Sequence, residues 1–177
     1  ITSSGKSAFA TNIAVNIAKQ GVGVLYVSLE MTLIQMLDRI DHIEPHTEGL
    51  NLMLQKYFAL DYKDLRPLLM KAKSQGEVEV VVLDYLQYLG RGMTNDEVAK
   101  MSKTIKALAL EFNIAFMVIV SIRKGEGGKF KRKWTDLEIE DFMGTSALGY
   151  DCDTAYVVSR RNTEDEYDQE KIYLKLL

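Results

Sequence analysis

At 177 residues, 47% of them apolar and 27% charged, the chain is one globular domain's worth of sequence with enough apolar material for a sizeable core. Its net charge of −3, from 22 basic and 25 acidic residues, carries no global basic signature, so any nucleic-acid binding would have to come from a local cluster. No apolar run approaches the roughly 18 residues of a membrane span, nothing resembles a signal peptide, and the single cysteine, Cys152, excludes an internal disulfide, so a cytoplasmic location (or, for a phage protein, the host cytoplasm) without a membrane partner is expected.

The first seven residues, Ile1-Thr2-Ser3-Ser4-Gly5-Lys6-Ser7, read as the tail of a phosphate-binding loop of pattern G-x-x-x-x-G-K-[ST] lacking its leading glycine. Gly5 lets such a loop wrap tightly, and successive backbone N–H groups then point at anionic oxygens. Lys6 would reach the terminal phosphates, the Ser7 hydroxyl would ligate Mg²⁺, and the following helix would turn its N-terminus toward the negative charge. Ser3, Ser4, Gly5, Lys6, Ser7 and Ala8 are therefore the candidate contacts to ATP. A helix N-cap with a nearby lysine would leave the same tripeptide. A phosphate loop normally follows a buried strand, so the sequence is expected to be a piece of a longer protein.

Residues 7–20 carry Phe9, Ile13 and Ile17 among alanines at helical spacing, and Gly21 and Gly23 stop that helix. Residues 24–29 form a nearly continuous apolar run, the pattern of a strand buried on both faces of a parallel sheet, and Glu30 lies at its carboxyl end. In open α/β sheets ligands bind at that edge. Residues 32–43 predict a second helix, whereas residues 44–62, punctuated by Pro45 and Gly49, predict no definite element. His42 and His46 stand four apart but lack a third ligand and read as solvated histidines. Residues 64–75 predict a helix that tolerates Pro67 in its first turn.

A second buried strand is predicted over residues 78–83, ending at Asp84. Aspartate often caps or turns a strand end, but beside a phosphate loop its carboxylate can hold the water shell of Mg²⁺ next to Ser7. Residues 95–112 predict an amphipathic helix with Val98, Met101, Ile105, Leu108 and Phe112 as its stripe. Residues 115–120 predict a third buried strand, ending at Ser121. From Arg123 to Trp134 the composition changes to three glycines, a single acid (Glu126), six basic residues (Arg123, Lys124, Lys129, Lys131, Arg132, Lys133), Phe130 and Trp134. Such a segment suits a single-stranded nucleic-acid backbone, positive along its length and with rings for stacking, although a solvated charge run has the same composition. Further strands are predicted over 154–159 and 171–177, and the alternation of elements predicts a mainly parallel α/β sheet with helices on both faces.

Ser28-Leu29-Glu30-Met31, Asp84-Tyr85-Leu86-Gln87, the segment 97–112 with its core Ser102-Lys103-Thr104-Ile105-Lys106-Ala107-Leu108-Ala109, and Asp151-Cys152-Asp153 followed by Arg160 resemble, in order and spacing, the carboxyl-terminal RecA-like motor domain of the DnaB-type replicative helicases. The likeness covers essentially the whole chain. It implies a RecA-like P-loop NTPase core over residues 1–177, with Lys6 and Ser7 handling phosphate and Mg²⁺, Glu30 as the general base for the attacking water, Asp84 as the Walker B carboxylate and Arg160 near the nucleotide base. It further implies ATP-driven translocation on single-stranded DNA by a ring, expected to be a hexamer, with a primase and a helicase loader as partners. The DNA contacts would come from Arg91, in the loop 90–95, and from Lys124, Lys129, Lys131, Arg132 and Lys133.

Two departures stand against this pattern. The family usually carries a glutamine after the strand end at Ser121, and here the residue is Ile122. The basic finger that the family supplies to a neighbouring subunit would fall after residue 177, so the 177 residues alone are expected to hold nucleotide weakly. A non-helicase ATPase of the same superfamily, recombinase-like or of the KaiC-like clock type, is the alternative that Ile122 favours. A nucleotide-binding assembly module is a third, opposed by the presence of both Glu30 and Asp84.

Overall fold

The computed structural model describes residues 5–57, 60–84, 94–120, 133–141, 147–161, 166 and 171–177. Helix α1 (Lys6–Ala18) is followed by strand β1 (Val24–Ser28), helix α2 (Leu33–Ile43), strand β2 (Leu52–Lys56), a 3-10 turn (Tyr62–Asp64) and helix α3 (Leu65–Gln75). Strand β3 (Val80–Asp84), helix α4 (Asn95–Phe112) and strand β4 (Ala115–Val118) complete the main unit. Two further 3-10 turns (Trp134–Asp136 and Ile139–Asp141) and the short helix α5 (Ala147–Asp151) precede strands β5 (Tyr156–Ser159) and β6 (Tyr173–Leu176).

The four central strands are all parallel and lie in the order β2-β1-β3-β4. Alternation along the strands sorts side chains onto two faces. Val24, Tyr26 and Val82 pack under α1 and α2, with Ala10, Ala14 and Ala18 of α1 letting that helix approach closely. Leu25, Val27, Val81 and Leu83 pack against Leu65, Leu68, Leu69 and Ala72 of α3 and Val98, Met101, Ile105 and Leu108 of α4. Both faces are thus covered, which is why β1 and β3 read as uninterrupted apolar runs. The predicted architecture, a mainly parallel sheet with helices on both faces, is the one found.

Helix boundaries follow local chemistry. Thr32 caps α2 and Thr94 caps α4, each in a reciprocal box with the side chain three residues on, Gln35 and Glu97. Asn113 ends α4 in the left-handed region (φ 50°), a conformation that asparagine tolerates. Pro67 sits in the first turn of α3, as its missing N–H allows. At Gly23 the chain entering β1 runs so close to the chain entering β3 that an added Cβ would lie 1.9 Å from the Glu77 carbonyl oxygen. The Gly23 carbonyl there accepts from the Glu79 and Val80 amides at 2.9 and 3.0 Å.

Strand β2 lies in the stretch where the sequence predicts no element. It pairs in parallel with β1, Val24 opposite Leu52 and Ser28 opposite Lys56. All five of its residues are half-buried, and Leu-Met-Leu-Gln-Lys on a sheet edge has neither the alternation nor the apolar run that marks a strand. The two strands predicted toward the carboxyl terminus form a separate antiparallel pair, Ser159 opposite Tyr173.

Candidate functional site

Three strand and helix ends meet at the carboxyl edge of the sheet. Helix α1 begins at Lys6, and Gly5 caps it with φ 84° and ψ 3°, in the left-handed region that glycine enters without cost. No side chain caps this helix and no acidic residue occupies its first turn. Its first amides and the positive end of its dipole are therefore directed at whatever anion approaches.

Asp84 ends β3 and is completely buried. Its Oδ1 accepts a hydrogen bond from Ser7 Oγ at 3.1 Å, and its Oδ2 accepts one from Tyr26 Oη at 2.8 Å. Burial and then the Asp84 carboxylate push the Tyr26 phenol well above its ordinary value, so it is a standing donor. Thr11 donates to the Ser7 carbonyl at 2.7 Å and lies 3.5 Å from Tyr26 Oη, closing the group from the side of α1. Burial lowers the pKa of Lys6, while the Asp84 and Glu30 carboxylates oppose that shift. The ammonium thus faces both acids the sequence singled out.

Glu30 stands just past β1. The Leu29 amide still donates to the Asp84 carbonyl at 2.7 Å, but beyond it the backbone turns. Ser28 Oγ sets that turn by donating to the Met31 carbonyl (3.0 Å) and accepting from the Met31 amide (2.9 Å). Glu30 is left exposed at the bend, near enough for its carboxylate to act on the Lys6 ammonium. Ser28, Thr11 and Tyr26 were not among the expected site residues. The sequence puts Tyr26 two residues before Ser28 and hence on the same face of β1, and the register that sets Ser28 opposite Asp84 brings that face to the carboxylate.

Arg160 follows β5 and Ile172 precedes β6, so the connected end of the antiparallel pair lies beside Gly5. A Cβ on Gly5 would lie 3.1 Å from Ile172 Cδ1 and 3.3 Å from Arg160 Nε. Arg160 therefore lies beside Gly5 at the start of α1. Ser3 and Ser4 lie outside the described residues, as do Arg91, Ser121, Ile122, Lys124, Lys129, Lys131 and Arg132. Lys133, the one described basic residue of that segment, is exposed and precedes the turn Trp134–Asp136. Trp134, expected to offer a ring for stacking, is half-buried with its ring 6.1 Å from that of Tyr173. Lys175 Nζ donates to the Leu137 carbonyl at 2.7 Å. These contacts fasten the carboxyl end of the basic segment to β6.

A hydroxyl and a carboxylate side by side are hard oxygen donors, suited to Mg²⁺ when phosphate oxygens and water fill the rest of its shell. The donor set at Ser7 and Asp84 fits that ion, and the amides of α1 with Lys6 fit the phosphates. His42 and His46 are both exposed, and among the described residues no group of three His, Cys, Asp or Glu is placed to hold a metal by itself.

A parallel α/β sheet with a glycine–lysine–serine helix start beside a strand-end aspartate defines a phosphate-loop nucleotide-binding domain of RecA-like fold. Residues 41–175 match the DnaB-like helicase C terminal domain, and the chain belongs to that family. It is 27% identical to the probable plasmid replicative DNA helicase of Chlamydia psittaci, over 94% of this chain and 42% of that protein. It is 25% identical to the replicative DNA helicase DnaB of Geobacillus stearothermophilus, over 98% of this chain and 44% of the relative. The chain thus spans less than half the length of these curated relatives. Among solved structures, a DnaB-like replicative helicase studied with primase superposes with a TM-score of 0.75 at 18% identity, covering 97% of this chain and 50% of that one. An ATPase domain superposes with a TM-score of 0.76 at 17% identity, covering 98% of this chain and 72% of the other. These likenesses place the fold.

Proposed function

We propose that this domain is the motor of a replicative DNA helicase, using Mg·ATP hydrolysis to move along single-stranded DNA and part a duplex. The observation that carries the reading is the contact of Ser7 with Asp84 at 3.1 Å beside Lys6, on a chain of the DnaB-like helicase family.

Hydrolysis needs a water placed in line with the terminal phosphorus and charge neutralised on the oxygens around it. Lys6 and the first amides of α1 would hold the phosphates, and Ser7 with Asp84 would hold Mg²⁺, which when bound would supply positive charge to offset that of the phosphates. Glu30 takes a proton from the attacking water. The new P–O bond forms as the bond to the bridging oxygen breaks, releasing ADP and inorganic phosphate, and the proton passes from Glu30 to solvent. Arg160 lies at the same loop, where it can contact the nucleotide. Arg91, Lys124, Lys129, Lys131, Arg132 and Lys133 bind the DNA strand, the domain works as a ring of six copies, and a primase and a loader are its partners.

The test is strand displacement by the full-length protein with ATP and Mg²⁺. ATP turnover stimulated by single-stranded DNA, together with release of an annealed strand, supports the reading. Turnover indifferent to DNA, with no displacement at any salt concentration, would replace it with a non-helicase ATPase of the same fold.

A further inference from the structure

The two oxygens of the Asp84 carboxylate have different partners. Oδ1 accepts from Ser7 at the opening of the loop, and Oδ2 accepts from Tyr26 within the sheet–helix core. Among the described residues these are the two side chains that hydrogen-bond Asp84, although Ser28 is its in-register neighbour. Ser28 is committed to the Met31 turn.

We propose that Tyr26 is a positioning residue for the nucleotide's divalent cation, its hydroxyl fixing the Asp84 carboxylate so that Oδ1 alone faces Ser7. The inference rests on the reading of Ser7 and Asp84 as the metal side of the site.

The terminal torsion of an aspartate is soft and roughly two-fold, so a buried carboxylate keeps one orientation only if its partners impose it. Asp84 is 0% exposed, so bulk solvent does not set its orientation. Tyr26 can impose it, because its own ring is held in the middle of β1 at 1% exposure, packed with Ala10, Ala14, Val82 and Met36. A core position filled by valine or leucine elsewhere on the strand has no need of a phenol, and a buried hydroxyl is unfavourable without a partner. The consequence reaches Ser7. A serine hydroxyl has one proton and two lone pairs. With its proton directed at a fixed Oδ1, Ser7 turns its lone pairs outward, where a cation can take them. Tyr26 thus orients the metal ligand through Asp84 without touching the metal.

The experiment is a titration of Mn²⁺ into the full-length protein with ADP, read by the loss of the free-ion electron paramagnetic resonance signal. Tyr26→Phe keeps the ring and removes the hydroxyl. It is expected to raise the Mn²⁺ Kd about 10-fold, in the range found for outer-shell partners of metal ligands, while metal-free ADP affinity stays within about two-fold. A purely structural role would alter both affinities or neither, and an unchanged Mn²⁺ Kd in the folded variant overturns the inference alone. Failure of the unsubstituted protein to bind ADP with Mn²⁺ is a separate result that overturns the nucleotide reading and the inference with it. Should Tyr26→Phe not fold, the unsubstituted protein with labelled tyrosine decides: bound Mn²⁺ with ADP must broaden the Tyr26 ring signals, and sharp signals at saturating Mn²⁺ overturn the proposal.

Discussion

Ser7 Oγ and Asp84 Oδ1 lie 3.1 Å apart although 77 residues separate them in the chain. Parallel pairing of β1 with β3 and the packing of α1 over that pair bring them together, so the contact reports the whole central unit. Asp84→Asn is expected to raise the Mg²⁺ concentration for half-maximal ATP turnover by about 10- to 100-fold, the usual cost of disturbing a group that orients a metal ligand. Asparagine would also set an amide N–H₂ against one of two hydroxyl donors. A Mg²⁺ titration of steady-state turnover checks this, and an unaltered midpoint would remove Asp84 from the metal side.

Glu30 is exposed at the end of β1, on a turn that Ser28 holds by bonding Met31 in both directions. A side chain that withdraws a proton from water contributes about 10²- to 10⁴-fold to the chemical step. Glu30→Gln should therefore lower kcat by that factor and leave nucleotide affinity within a few-fold. Single-turnover hydrolysis beside equilibrium binding of a fluorescent nucleotide separates the two. Loss of binding with turnover per bound nucleotide intact would make Glu30 a binding residue instead.

Most of this frame was legible in the sequence, because the buried strands β1 and β3 are apolar on both faces and end in polar residues. Gly5, Lys6 and Ser7 could be read because a phosphate loop is a local motif. Strand β2 could not, since an edge strand of half-buried residues has no run or alternation to find. Tyr26 was hidden for the opposite reason: in a fully buried strand a tyrosine reads as one more large side chain, and only the parallel register puts its hydroxyl beside Asp84. The surroundings of Trp134 were not legible either, because composition shows that a ring is present in a basic segment but not that Tyr173, far along the chain, lies beside it. The ion pair of Lys106 with Asp153, at 2.6 Å, was invisible for the same reason of distance.

Gly21 and Gly23 both follow α1 but differ in what surrounds them. Gly21 has φ +84° with nothing near its missing Cβ, so Gly21→Ala costs only the left-handed conformation, roughly 1–2 kcal/mol. A Cβ on Gly23 would lie 1.9 Å from the Glu77 carbonyl oxygen and 2.6 Å from its carbon. That obstacle is backbone and cannot rotate away, so β1 and β3 must separate at their entry. Gly23→Ala is expected to cost about 3 kcal/mol or more, at the upper end of overpacking substitutions. Urea unfolding of the two variants in parallel measures both, and equal midpoints would contradict the close approach.

Glu97 accepts from the Thr94 amide at 2.8 Å and from the Thr94 hydroxyl at 2.9 Å, completing the cap of α4. The backbone bond first, and then the hydroxyl bond, hold its pKa below the ordinary carboxylate value of 4.5. Because the folded pKa is the lower one, the unfolded chain binds the extra proton as pH falls. The contribution of Glu97 is therefore full above its unfolded pKa and is lost as pH drops through the depressed folded value. Glu97→Gln can still accept both bonds through its amide oxygen but does not titrate. The variant should then unfold with a shallower decline of Tm below about pH 5, the acid side of an ordinary carboxylate, and with nearly the parent's Tm at pH 7. Thermal unfolding followed by circular dichroism across that range checks it. Parallel acid limbs for parent and variant would show that the cap is not held by the ionised form.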